Sequence, residues 1–159
     1  MTVTALGKYG LESMDEAAIR EFLTNRGVGV LGLPTEDGPY LLSMSYGCDG
    51  DAALYFTYVG GDDSRKASLS DRAETAGFLV YGAGTAFTWA SVFLRGALER
   101  VPEPEGDVHG DAMSNAWRPA VFETADVDVA VYRFRIAERS GIRHTGLPPG
   151  FEPRESESG

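Results

Sequence analysis

Three consecutive residues carry the clearest chemistry in this chain: Ser64-Arg65-Lys66, inside the stretch GGDDSRKASLSDRAE. The chain has only two lysines, Lys8 and Lys66, so a lysine set directly after an arginine asks for a reason beyond surface solvation. The run leaves a Gly- and Asp-rich loop and enters about two helical turns, roughly residues 65 to 73. A helix start leaves backbone N–H groups unpaired and carries a partial positive charge, so an oxyanion binds well there. An arginine can grip two phosphate oxygens at once, a lysine adds a point charge, and Ser64 adds a hydroxyl donor. These residue types in this order suit a phosphomonoester. The plainer alternative is that Asp62 and Asp63 neutralise the two cations and nothing binds.

The segment ahead of the loop, LYFTYV, ends in aromatic and hydroxyl residues. Phe56 and Tyr58 could offer a flat platform, and Thr57 a hydrogen bond, to a planar heterocycle with a phosphate tail. For Phe56 and Tyr58 the competing reading is plain core. No other cluster stands out. The single Cys48 cannot form an internal disulfide and reads as a small filler near a turn. His109, at an expected helix start, has no carboxylate or cysteine at metal-ligand spacing, so no metal is expected. His144, in GIRHTG, reads as a solvated tail residue. No nucleophile elbow surrounds Ser91. Catalytic residues stay unknown, with Tyr46 and Tyr58 the nearest proton donors.

The composition limits the partners. The 159 residues predict one domain with a real core, and 43% are apolar. The formal net charge is −10, from 24 acidic and 14 basic residues. Such a surface repels nucleic acid and anionic membranes. Acid-rich, lysine-poor composition matches that of salt-loving organisms, where high salt screens self-repulsion. Equal stability at low and molar salt would contradict that halophilic reading. There is no apolar run of about 18 residues and no apolar leader at the N-terminus, so a cytoplasmic location is expected.

The elements that must position these residues are mostly strands. Residues 1–12 read as an arm. Ser13-Met-Asp-Glu16 matches a capping box, with Ser13 as N-cap, and Ile19, Phe22 and Leu23 recur at helical spacing over residues 14 to 26. Val28 to Leu33, Pro39 to Gly47 and Ala53 to Val59 read as a three-strand meander. Thr75 to Tyr81 is a fourth strand, broken by Gly82-Ala-Gly84. Phe87 to Val101 is a fifth, with a bulge or bend at Gly96. A weaker helix is placed at residues 108 to 118. Val127 to Glu138 alternates as a sixth strand, with Ala130, Tyr132, Phe134 and Ile136 on one face. The domain runs from residue 13 to 146, and the acidic tail, 147–159, is expected to be disordered. Six sequential antiparallel strands with short helices suggest a small barrel, and apolar residues on both faces suggest a homodimer.

The order PYLLSMSYGCDGDAALYFTYV, SRKASL, AGFLVY, TWASVFLRGALERV and VDVAVYRFRIAERSGIR resembles the pyridoxamine 5′-phosphate oxidase-like, FMN-binding split-barrel superfamily, over most of residues 14 to 143. The resemblance implies a mainly β, six-stranded antiparallel split barrel, a homodimer with FMN at the interface, and oxidation or reduction of a small organic molecule. It places the phosphate at Arg65 and Lys66, with Ser64 nearby. Ser43, Met44, Ser45 and Tyr46 would run along the isoalloxazine, Thr57 and Tyr58 would border the ring or ribityl chain, and Trp89 and Ser91 would complete the site from either subunit. The chain lacks the C-terminal arginine and histidine pattern of true pyridoxamine phosphate oxidases, which argues against vitamin B6 oxidation. A deazaflavin coenzyme, a non-enzymatic flavin-binding dimer, and haem bound through His144 are the alternatives.

Overall fold

The computed structural model describes residues 3–50, 52–60, 64–102 and 129–146. Asp62, Asp63, His109, the helix expected at 108 to 118 and the tail from 147 lie outside them. The expected arm has structure: a short helix, α1 (Val3–Leu6), a 3-10 turn at Gly7–Tyr9, and β1 (Leu11–Ser13). Helix α2 (Glu16–Thr24) follows, and its N-cap is Asp15, whose carboxylate accepts the Ala18 N–H at 2.8 Å. Ser13, the residue expected to cap it, lies instead in β1, opposite Ile142. The strands are β2 (Val28–Leu33), β3 (Tyr40–Ser45), β4 (Gly47–Cys48) and β5 (Ala53–Val59). Helix α3 (Arg65–Arg72) follows, then β6 (Ala76–Thr85), β7 (Thr88–Arg100) and β8 (Val129–Thr145).

The strands form one antiparallel sheet in the order β3-β2-β6-β7-β8-β5-β4, with β1 added to β8. Its two ends, β3 and β4, are separated in sequence only by Tyr46. They are therefore two halves of one strand, the first paired to β2 and the second to β5, and the sheet closes on itself through that residue. Counted so, six strands form the barrel and β2, β3/β4 and β5 make the expected meander. The interior is aromatic: Tyr46, Phe56, Phe78, Tyr132 and Phe134 are fully buried. Phe56 lies 5.0 Å from Phe78 and 6.2 Å from Phe134, centroid to centroid. Each such side chain contributes about 1.5–3 kcal/mol by leaving water.

Two strands run further than their sequence suggested. β6 continues through Gly82-Ala-Gly84, and β8 continues through Gly141 to Thr145. At Gly141 a Cβ would stand 2.9 Å from the Met14 sulfur and 3.1 Å from Ile19, so this glycine lets α2 pack on the strand. The bulge expected at Gly96 is present as a register shift between Arg95 and Gly96. Among the described residues no helix is long and apolar enough to cross a membrane.

Candidate functional site

The cationic loop follows β5 directly. Gly60 turns the chain with φ of 112°, and Ser64 enters α3 in an extended conformation. The Ser64 hydroxyl oxygen accepts the Ala67 N–H at 3.3 Å, so this serine is the N-cap. Arg65 and Lys66 are then the first two helical residues, and no acidic residue lies in that first turn. Two cations at the positive end of a helix repel its dipole. Aromatic faces hold both side chains: the Arg65 guanidinium lies 4.8 Å from the Tyr40 ring centre, and the Lys66 ammonium 5.2 Å from that of Tyr58. Tyr40 opens β3, so Arg65 joins the helix start to that strand.

β3 presents an edge next to this cluster. The Tyr46 N–H donates to the Gly27 carbonyl at 2.9 Å. Antiparallel alternation then aims the backbone groups of Leu42 and Met44 at β2, and those of Leu41, Ser43 and Ser45 away from it. The Ser43 side chain is exposed and that of Ser45 half-buried. The side chains of Met44 and Tyr46 turn into the core instead, at 7% and 0% exposure.

The two tyrosines considered as proton donors are both held inside. The Tyr46 hydroxyl donates to the Leu23 carbonyl at 2.7 Å, and burial pushes its pKa far above the ordinary range. Tyr58 stacks on Tyr132 at 4.3 Å and shares a hydrogen bond of 2.7 Å with Ser70. Burial pushes it up to about 12, against a smaller opposing effect of the Ser70 hydrogen bond. Tyr58 supports Lys66 from below rather than facing a ligand. Thr57, its neighbour, is half-buried on the opposite face of β5.

Trp89 and Ser91 lie elsewhere in the protomer. They sit on β7, three strand steps from β3, about 14 Å at the usual strand spacing. Trp89 is half-buried and pairs in register with His144 of β8. His144 is not solvated: it is 6% exposed, and its Nδ1 lies 2.8 Å from the Phe87 carbonyl. A carbonyl only accepts, so Nδ1 carries the proton. The missed signal was the continued alternation of Ile142 and His144 beyond Gly141.

A cleft of about 580 Å³ opens here, lined by Arg26, Gly82, Trp89, Arg143 and His144 among others. A second of about 480 Å³ runs along residues 25–30 to Ser43 and Tyr81. Arg26 lines both, the first at the start of β7 and the second along β2 by the β3 edge. Beside it, Val28, Leu41, Tyr81 and Phe93 stand 42–64% exposed on the outer face of β3, β2, β6 and β7. Among the described residues no three His, Cys, Asp or Glu side chains group as a metal site.

A family model described as pyridoxamine 5′-phosphate oxidase matches residues 15–143. The chain belongs to this family. Solved structures share the fold. A FAD-binding protein from Mesorhizobium loti is 21% identical with a TM-score of 0.71, covering 85% of this chain and 97% of that one. A conserved hypothetical protein from Mycobacterium tuberculosis is 25% identical with a TM-score of 0.62, covering 80% and 84%. A FAD and heme binding protein from Mycobacterium smegmatis is 14% identical with a TM-score of 0.65, covering 87% and 75%. No curated protein matches the sequence.

Proposed function

We propose that this family member is a homodimeric flavin-binding protein that takes FMN, its phosphate at the start of α3, and uses it to oxidise or reduce a small organic molecule. The observation that carries the reading is the electrostatic conflict at that helix start. Arg65 and Lys66 add two positive charges to the positive end of a helix dipole, with no acid in the first turn. A phosphate relieves the conflict, taking charge-assisted hydrogen bonds from both side chains and from helix N–H groups. The outward backbone groups of Ser43 and Ser45 are suited to the polar edge of a flavin ring. Flavin binding agrees with two neighbours of the same fold, the FAD-binding protein from Mesorhizobium loti and the FAD and heme binding protein from Mycobacterium smegmatis.

The cofactor would supply hydride or electron transfer, while the protein binds, orients and excludes water. Arg65 and Lys66 anchor. Trp89 and Ser91 lie on β7, three strands away from β3 in the sheet, and in the dimer a partner subunit would bring its own pair to the ring. The exposed Val28, Leu41, Tyr81 and Phe93 form an apolar face that a second copy would cover. Haem is less suited to His144, which directs Nδ1 at the Phe87 carbonyl and lays Nε2 beside Gly10.

The test is the absorption spectrum of the purified protein after loading with FMN and desalting, with light scattering for the dimer. Retained flavin bands at one FMN per chain support the proposal. A colourless protein overturns it and shifts attention to a deazaflavin, which the mass of any co-purifying cofactor would reveal. Flavin binding without turnover under any reductant would leave a non-enzymatic flavin carrier.

A further inference from the structure

Helix α3 is too short to hold itself in place. Its eight residues fall below the roughly 12–15 that an isolated helix needs in water. Arg65 and Lys66 oppose the helix dipole at one end, and at the other Asp71 offsets Arg72. Ser68 and Ser70 are weak helix formers. Apolar packing adds little: Ala67 and Ser70 are the buried side chains of the helix, and Leu69 packs on the core in part. Something else must fix where the cationic start stands.

The end of the barrel supplies two hydrogen bonds. The Tyr132 hydroxyl of β8 donates to Asp71 Oδ1 at 2.8 Å, and the Tyr58 hydroxyl of β5 shares a bond of 2.7 Å with Ser70. The partners are consecutive helix residues, about 100° apart around the axis, so the two bonds together oppose sliding and rolling of the helix. The two tyrosine rings stack at 4.3 Å and 26°, and both are buried, so neither swings alone. Lys66 and Ser70 are four residues apart on one stripe of the helix, and Tyr58 meets both. Its ring lies 5.2 Å from the ammonium, and its hydroxyl reaches Ser70.

We infer that the Tyr132–Asp71 and Tyr58–Ser70 bonds form a two-point lock, which makes Tyr132, Asp71 and Ser70 positioning residues for the anion site at the start of α3. The inference rests on the flavin reading above for the identity of the anion, whereas the lock itself belongs to the cofactor-free chain. Asp71 stands six residues beyond Arg65, about 9 Å along the helix, and acts through the backbone. Its charge alone would repel a phosphate. Charge and lock therefore predict opposite signs when the carboxylate is removed.

The experiment pairs amide hydrogen exchange of the flavin-free full chain with fluorescence titrations of FMN and riboflavin. Tyr132→Phe and Asp71→Ala should each speed exchange across α3 roughly tenfold to a hundredfold, the worth of one hydrogen bond to a charged group, with the β6–β7 hairpin unchanged. Asp71 is exposed, so its replacement leaves the core intact. Both variants should weaken FMN roughly threefold to tenfold, as the docked fraction of α3 falls, and leave riboflavin, which has no phosphate, within about twofold. Asp71→Asn keeps an acceptor for Tyr132 and should restore both slow exchange and FMN affinity. Unchanged exchange across α3, tighter FMN binding in Asp71→Ala, or equal weakening of FMN and riboflavin would overturn the inference. A parent chain that binds no FMN fails the flavin reading instead, and the exchange rates then decide the lock by themselves.

Discussion

Removing both cations of the α3 start separates phosphate binding from folding. In Arg65→Ala/Lys66→Ala the fold loses two aromatic contacts, those with Tyr40 and Tyr58. Contacts of this kind contribute about 0.5–1 kcal/mol each. The substitution also removes two cations from the positive helix end, which returns about 0.3–1 kcal/mol each, and alanine favours helix. Stability should therefore change by no more than about 1 kcal/mol, or about 2–4 °C in Tm. The phosphate loses much more. Two charge-assisted hydrogen bonds at about 1.5–3 kcal/mol each raise the Kd for FMN by roughly a hundredfold to ten-thousandfold. Riboflavin has the same ring and no phosphate, so its affinity should stay put. The assay is a flavin fluorescence titration of both ligands against both proteins, with a thermal melt alongside. The reasoning fails if FMN and riboflavin weaken by the same factor, or if neither weakens.

Other expectations follow from the core. Tyr46→Phe removes the hydroxyl donor to the Leu23 carbonyl, which keeps the Arg26 N–H at 3.4 Å, and should cost about 0.5–1.5 kcal/mol in urea unfolding, although the change adds no cavity. Gly96→Ala sets a Cβ 2.0 Å from the Arg135 carbonyl oxygen, a backbone atom that cannot step aside, and should cost about 1–3 kcal/mol or more on the same measurement. Tyr58 holds its proton in the folded chain up to about 12, against 10 when unfolded. The contribution is therefore whole below pH 10 and drains away as pH rises towards 12, so unfolding and tyrosinate absorbance should rise together in that window. A Tyr58 tyrosinate signal, read as the difference between the parent chain and Tyr58→Phe, that appears ahead of unfolding would contradict this.

The barrel was legible because its strongest signals are local. β5 was read as Ala53 to Val59 from its aromatic and branched residues, and Gly96 was read as an irregularity inside a long strand. The misreadings share one physical cause. Gly82 and Gly141 resemble stops, yet each sits inside a strand because something packs where a side chain would be: the Arg26 guanidinium on one and Met14 with Ile19 on the other. Treating Gly141 as an end placed His144 in a solvated tail and hid the cleft with it. The capping pattern at Ser13 was similarly overruled, because that residue belongs to a ladder with a strand some 130 positions away. Ser64, Arg65 and Lys66 could be placed from sequence because a helix start is a local event. That Tyr46 and Tyr58 turn inward depends on which face closes the barrel, which no local pattern states.

The last strand also sets when this protein can fold. β8 is the common neighbour of β1, β5 and β7, and its pairings reach back from residues 129–145 to residues 11–13 and 53–59. Until it leaves the ribosome, β5 and β7 keep open edges and the aromatic interior lacks Tyr132 and Phe134. Closure is thus a late, long-range event, slow by topology and exposed to edge-to-edge association while it waits. A nascent chain released just before Val129 would hold most of the barrel's residues and no barrel.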